Sequence, residues 1–212
     1  MTAPEAGAAL TAFVEAAGRG DVEGMWALFS GPTQDRLGPT RSDFEKRVAH
    51  DFEEGVGSFA GTSYELVVAA EAGTGWAVAA IAGPRVAEGM PENGAYAVAL
   101  RAEAGGWRLE LGGPVVLTPQ IPGTGIVPAE RPELAVDVEV SAAPDALLWL
   151  DGVPLPGSAL FGGLEGSPVS GTFSGRFPGT LAAGPHTVVA FGRAGDEATA
   201  VAWVVWVGED GS

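Results

Sequence analysis

The sequence predicts two domains of different class: a mixed α+β domain over residues 3–113 and an all-β sandwich over 133–208, joined by a proline- and glycine-rich linker at 114–132. Three observations carry this prediction. Apolar residues recur at helical spacing near the N-terminus and then switch to a period of two. Gly112-Gly113-Pro114, followed by Pro119, Pro122, Gly123, Gly125, Pro128 and Pro132, forms a block in which each proline removes a backbone donor and fixes φ, so neither a helix nor a central strand is expected there. Beyond the block only short strands and turns can be read. A chain of 212 residues suits two domains of about 100 residues each.

The elements follow in order. Leu10, Phe13, Val14 and Ala17 fall at i, i+3, i+4 and i+7, one apolar stripe of a helix that opens near Pro4 and ends at Gly18 and Gly20. Asp21 is placed to cap a second helix carrying Val22, Met25, Trp26 and Phe29, and Gly31-Pro32 reads as its stop. Ser42 and Glu45 have capping-box spacing and open a third helix with Phe44, Val48 and Phe52 on one stripe, ended by Gly55. Period two then gives strands over 64–70, 76–82, 95–104 and 107–111, the last two joined through Gly105-Gly106. Three helices must cover one face of this antiparallel sheet. In the second half, strands are expected over 134–140, 146–150, 171–177, 186–192 and 198–207, with Asp151-Gly152 and 193–196 as turns. Strands that short and that evenly spaced make a β-sandwich, and the glycine-rich stretch 161–174 is its expected binding loop.

Composition removes several function classes. The net charge is −16, with 8 basic and 16 acidic residues up to Ala129 and 3 and 11 from Glu130 onward, so both halves stand at −8. Such a chain repels phosphate backbones and anionic membrane surfaces, which excludes a nucleic-acid partner. There is no cysteine, hence no disulfide and no thiolate chemistry. No apolar run approaches the roughly 18 residues that a spanning helix needs. Two histidines, one in each half, make no metal cluster, and neither a calcium-loop spacing nor a phosphate-cradling glycine loop is present. No metal and no cofactor are therefore expected.

The first half resembles a known family. The run AALTAFVEAAGRGDVEGMWALFS, the helix bearing Phe44 and the closing AYAVALRAEAGGWRLEL are similar to the nuclear transport factor 2-like (SnoaL-like, cystatin-like) superfamily, above all its small envelope versions. That resemblance implies an α+β cone, three helices on a curved antiparallel sheet, with a pocket between them. The run LAAGPHTVVAFGRAGDEATAVAWVV resembles the last two strands of bacterial immunoglobulin-like domains and implies an immunoglobulin-like sandwich. Modules of that kind act as spacers or adhesive units at bacterial surfaces. The expected location is therefore extracytoplasmic, secreted or lipid-anchored with its leader removed, the cytoplasm being the alternative. Met1-Thr-Ala-Pro itself shows neither a basic n-region nor an apolar h-region.

Enzymes of the cone superfamily use an acid or base inside an apolar cavity. Asp51 is the best placed carboxylate, about 20° from Phe44 on the helical wheel. Tyr64 and Tyr96 could donate to an oxyanion. His50 lies about 160° from Val48 and reads as exposed. His186 reads as a structural residue at a strand entrance. The expectation is a non-catalytic binding or scaffold protein of a bacterial cell envelope, its partner an unknown protein or small molecule. The alternatives are an isomerase, dehydratase or hydrolase using Asp51 and Tyr96, or an apolar-ligand carrier walled by Trp26, Tyr64, Trp76 and Tyr96. The small-residue face formed by Ala95, Ala97 and Ala99 suggests a homodimer through the N-terminal sheet.

Overall fold

The structure, a computed structural model, describes residues 1–38, 40–87, 90–111, 113–122, 125–140, 145–162 and 169–208. The chain is mixed α+β and divides into two compact units, Met1–Gly112 and Gly113–Ser212. No helix among the described residues is long and apolar enough to cross a membrane.

Among the described residues the first unit has five α-helices where the sequence reading expects three. Helix α1 (Ala3–Gly18) opens with Pro4 in its first turn and with the Glu5 carboxylate accepting from the Thr2 N–H at 2.6 Å. It buries the expected stripe of Leu10, Phe13, Val14 and Ala17. Helix α2 (Val22–Leu28) is capped by Asp21, whose Oδ1 accepts from the Gly24 N–H at 2.8 Å. Asp21→Ala is expected to lower stability by about 1 kcal/mol, read as a shift in the chemical-denaturation midpoint, because one helix-opening N–H loses its acceptor. Gly31-Pro32 does not simply stop α2. Ser30 caps, and Pro32 enters, a further helix α3 (Gly31–Leu37), since the first turn of a helix leaves its N–H groups unpaired and so tolerates proline.

The expected third helix is two. Helix α4 (Arg41–Arg47) is capped by Thr40 rather than Ser42, and α5 (Ala49–Glu54) follows after a break at Val48, where φ is −141°. Helices this short gain little from propensity and are held by the apolar side chains they bury. A 3-10 turn over Val56–Phe59 crosses the end of α1 so closely that a Cβ on Gly18 would sit 2.1 Å from the Ala60 Cβ.

Strands β1 (Glu65–Glu71), β2 (Trp76–Ala87), β3 (Met90–Glu103) and β4 (Gly106–Glu110) form one antiparallel meander in that order. Ala77, Ala79, Ile81, Val98, Leu100, Trp107 and Leu109 face the helices and share a core with Leu10, Phe13, Phe29, Phe44 and Phe59. Phe29 also bridges to Leu109 at the sheet edge.

All described elements of the second unit are strands, in two sheets. One sheet has the order β10-β11-β7-β5, from β5 (Val116–Gln120), β7 (Glu133–Val140), β10 (Gly157–Gly162) and β11 (Val169–Arg176). The other has the order β6-β13-β12-β8-β9, from β6 (Ile126–Val127), β8 (Asp145–Leu150), β9 (Val153–Pro154), β12 (Gly184–Ala194) and β13 (Glu197–Val207). A single core draws on both: Leu117, Leu134, Val136, Val138 and Phe173 from the first, and Leu148, Leu150, Val188, Ala190, Trp203 and Val205 from the second.

The expected linker at 114–132 is a correction. Residues 116–120 form the edge strand β5, and 126–127 pair in parallel with Trp206 and Val207 of β13. An edge position is where a strand tolerates Pro119, because one side of its backbone has no ladder to break. Residues 129–132 pair with 177–181 through Leu181 N–H to the Ala129 carbonyl, Arg131 N–H to Gly179 and Phe177 N–H to Pro132. The expected loop at 161–174 is likewise in part a strand: 169–174 belong to β11 and 161–162 to β10, while 163–168 lie outside the described residues.

Candidate functional site

The space between helices and sheet is where a cone pocket is expected, and aromatic rings occupy it. Phe13 stands edge-on to Phe29 with ring centres 5.4 Å apart, and Phe29 meets Phe44 at 5.4 Å and Phe52 at 5.7 Å. Trp26 closes the group against Phe44 at 5.5 Å. Edge-to-face pairs of this kind add about 0.5–1.5 kcal/mol each beyond the area they bury. Phe13, Phe29 and Phe44 are fully buried.

The residues expected to work in that pocket are dispersed. Asp51 is solvent-exposed in the first turn of α5. The helical wheel fails for it because the break at Val48 resets the phase between Phe44 and Asp51. Tyr96 does face the helices and is half-buried, and burial pushes its phenol well up. It has no Asp51 beside it to share a proton. Tyr64 lies just before β1, edge-on to Phe59 at 6.2 Å. Burial and, second, the Glu15 charge push its phenol up, against a hydrogen bond with Thr11 that lowers it.

Trp26 belongs to the aromatic group, whereas Trp76 does not lie between the helices and the sheet. Ala77, Ala79 and Ile81 face the helices, so strand alternation turns Trp76 to the opposite face, where the Arg101 guanidinium stacks 4.7 Å from its ring centre. On that same face Ala97 and Ala99 are already buried in the single chain, which leaves little small-residue surface for a second copy. His50 is exposed beside Glu53 and Glu54.

Two polar arrangements escape a reading of the sequence. The first is built on Glu110, the last residue of β4, whose side chain is fully buried. Its Oε2 accepts from Ser30 Oγ at 2.6 Å and from Arg101 Nε at 3.0 Å, and its Oε1 accepts from Arg36 Nη2. Arg36 Nε also donates to the Leu111 carbonyl at 3.0 Å, and the Leu111 N–H donates to Thr33 Oγ1 at 2.8 Å. Ser30, which caps α3, thus ties that cap to the sheet edge. Both carboxylate oxygens are engaged and the side chain is fully buried, so the arrangement braces α3 against β4. A signal was present: Arg101 and Glu110 carry opposite charges on one face of paired strands.

The second is His186, at the start of β12. Its Nδ1 lies 2.6 Å from Asp151 Oδ2 and its Nε2 lies 2.8 Å from the Ala182 carbonyl. A general base needs a free ring nitrogen, and this imidazole has none.

Two open clefts have linings that include neither Glu110 nor His186. One of about 440 Å³ is lined by Trp76, Trp107, Glu71 and 73–75, and another of about 360 Å³ crosses the outer face of the β5-β7-β11 sheet. In the second, Asp137 is held low by hydrogen bonds from Gln120 and Thr172. Among the described residues no group of three metal-ligating side chains comes together. No family model, curated protein or solved structure matches this chain.

Proposed function

We propose that this chain is a non-catalytic binding or scaffold protein of a bacterial cell envelope, made of a nuclear transport factor 2-like unit and an immunoglobulin-like unit. The observation that carries the reading is the filled interior of the first unit. Phe13, Phe29, Phe44, Phe52 and Trp26 stack on one another where an enzyme or carrier of that superfamily keeps its substrate space. The polar groups best suited to chemistry support it as well: Glu110 and His186 spend their hydrogen-bonding capacity on the fold. The order of the meander β1-β2-β3-β4 under its helices, and a second unit whose two sheets share one core, suit the two families proposed. Binding then takes place at the surface of the molecule.

A titration with an environment-sensitive apolar dye tests the absence of an interior site. The native chain is expected to show no saturable one-site isotherm. A stoichiometric site lost on unfolding and abolished by Trp26→Ala would overturn the reading in favour of a carrier. Fractionation of the source cells tests the location: recovery with the envelope or the medium is expected, and recovery with the cytosol alone would remove the envelope assignment.

A further inference from the structure

The His186 ring sits between two acceptors. A carboxylate oxygen and a peptide carbonyl oxygen have no proton to give, so both contacts are hydrogen bonds only when both ring nitrogens donate. The fold fixes the carboxylate independently of the ring. Asp151 takes a left-handed backbone, with φ at 47°, in the turn it forms with Gly152. Its Oδ1 accepts from the Thr187 N–H at 2.8 Å, and its own N–H donates to the Thr187 carbonyl at 2.9 Å. Only Oδ2 is left for the ring. On the other side, Ala182 ends the segment that runs along residues 129–132.

We infer that His186 is a pH-operated latch, which as an imidazolium holds the Ala182 carbonyl against the Asp151 turn and releases the 177–183 segment on losing one proton. Proton loss leaves one N–H and one lone pair. The Asp151 carboxylate keeps the remaining hydrogen on Nδ1. The Nε2 lone pair then faces the Ala182 oxygen at a separation of 2.8 Å, a repulsive contact that the segment relieves by moving. Asp151 is the charged group that faces the ring among the described residues. The segment 177–183 carries no titratable side chain, the residue across the ladder on β13 is Val205, and Glu130 and Arg131 meet the segment through their backbones.

The sign follows from the competing influences on the ring. Burial pushes the imidazole down, but the Asp151 hydrogen bond, the Ala182 carbonyl and the Asp151 charge outweigh it, leaving the folded ring above the ordinary value of 6.5. A group raised on folding stabilises the fold fully below its unfolded value and loses that contribution as the pH rises through its folded value. The latch is therefore closed below about pH 6.5 and opens at a higher pH.

The test is an NMR titration of the intact chain together with amide hydrogen exchange. There are two histidines, so His50→Gln assigns the signals. The His186 midpoint is expected above that of the same residue in the urea-unfolded chain. The exchange rate of the Leu181 amide, corrected for its intrinsic pH dependence, is expected to rise roughly tenfold across that midpoint, the loss of one charge-assisted hydrogen bond. Asp151→Asn should move the midpoint and the exchange step down together, and His186→Gln should abolish the step. A flat corrected rate at Leu181 while His186 titrates would overturn the latch, as would a step that survives in His186→Gln. If His186→Gln does not fold, the joint shift in Asp151→Asn decides.

Discussion

Glu110→Ala is expected to cost about 3 kcal/mol of stability in the first unit. The alanine leaves a hole where a carboxylate had accepted from two guanidiniums and a serine hydroxyl. Removing one partner of a buried ionic group exposes the desolvation cost of the others, which is why the loss exceeds the net worth of the contact itself. The figure is set at the lower end of the usual range because Arg36 and Arg101 keep 26% and 15% of their side-chain surface in water. Hydrogen exchange reads the effect locally. The Ser30 N–H donates to the Leu109 carbonyl at 2.9 Å, and its protection should fall with that of β4. Glu110→Gln keeps the shape and loses the charge, so it should fall between wild type and alanine. Loss of less than about 1 kcal/mol in Glu110→Ala, the range of an exposed pair, would show that the brace does not hold α3 to the sheet.

Phe29→Ala is expected to cost about 3–5 kcal/mol, the range for emptying an aromatic position in a core. Phe29 is 2% exposed and touches the rings of Phe13, Trp26, Phe44 and Phe52, so no single neighbour can collapse into the space. The void is lined by apolar groups and should stay dry. Benzene should therefore raise the melting temperature of Phe29→Ala and leave that of the wild type unchanged. That pair of results would also show that the native interior is full because of its rings. A benzene effect of equal size on the wild type would mean that a cavity already exists between helices and sheet.

Much of the fold is legible in the sequence wherever the determining interactions are short-range. The α1 stripe, the Asp21 cap and the period-two runs that become β2, β3, β12 and β13 each depend on residues within a turn or a pleat of one another. Leu10, Phe13, Val14 and Ala17 are buried as their spacing requires, and Val98 and Leu100 face the helices as strand alternation requires. Legibility falls where one local signal has two outcomes. Gly31-Pro32 stops a helix or starts one, and Ser30 decided for α3 by pairing with Glu110, 80 residues away in sequence. The prolines after Gly113 exclude a central strand but permit an edge, and β5 takes the edge because β7 offers it a partner.

The candidate site was less legible than the fold. An inward-facing Asp51 requires one helix to continue through Val48, and the backbone there does not continue. The chemistry of Trp76 suits a pocket wall, but the alternation of β2 sets its face. The sequence by itself determined two lobes of different class, a strongly acidic surface and the absence of thiol chemistry, because composition and nearest-neighbour periodicity fix those. Only the tertiary structure decided that aromatic rings fill the first lobe, that Glu110 is buried between two arginines and that both nitrogens of His186 are bound. Each of these depends on side chains brought together from distant parts of the chain, and pairings of that kind leave no periodic trace in the sequence.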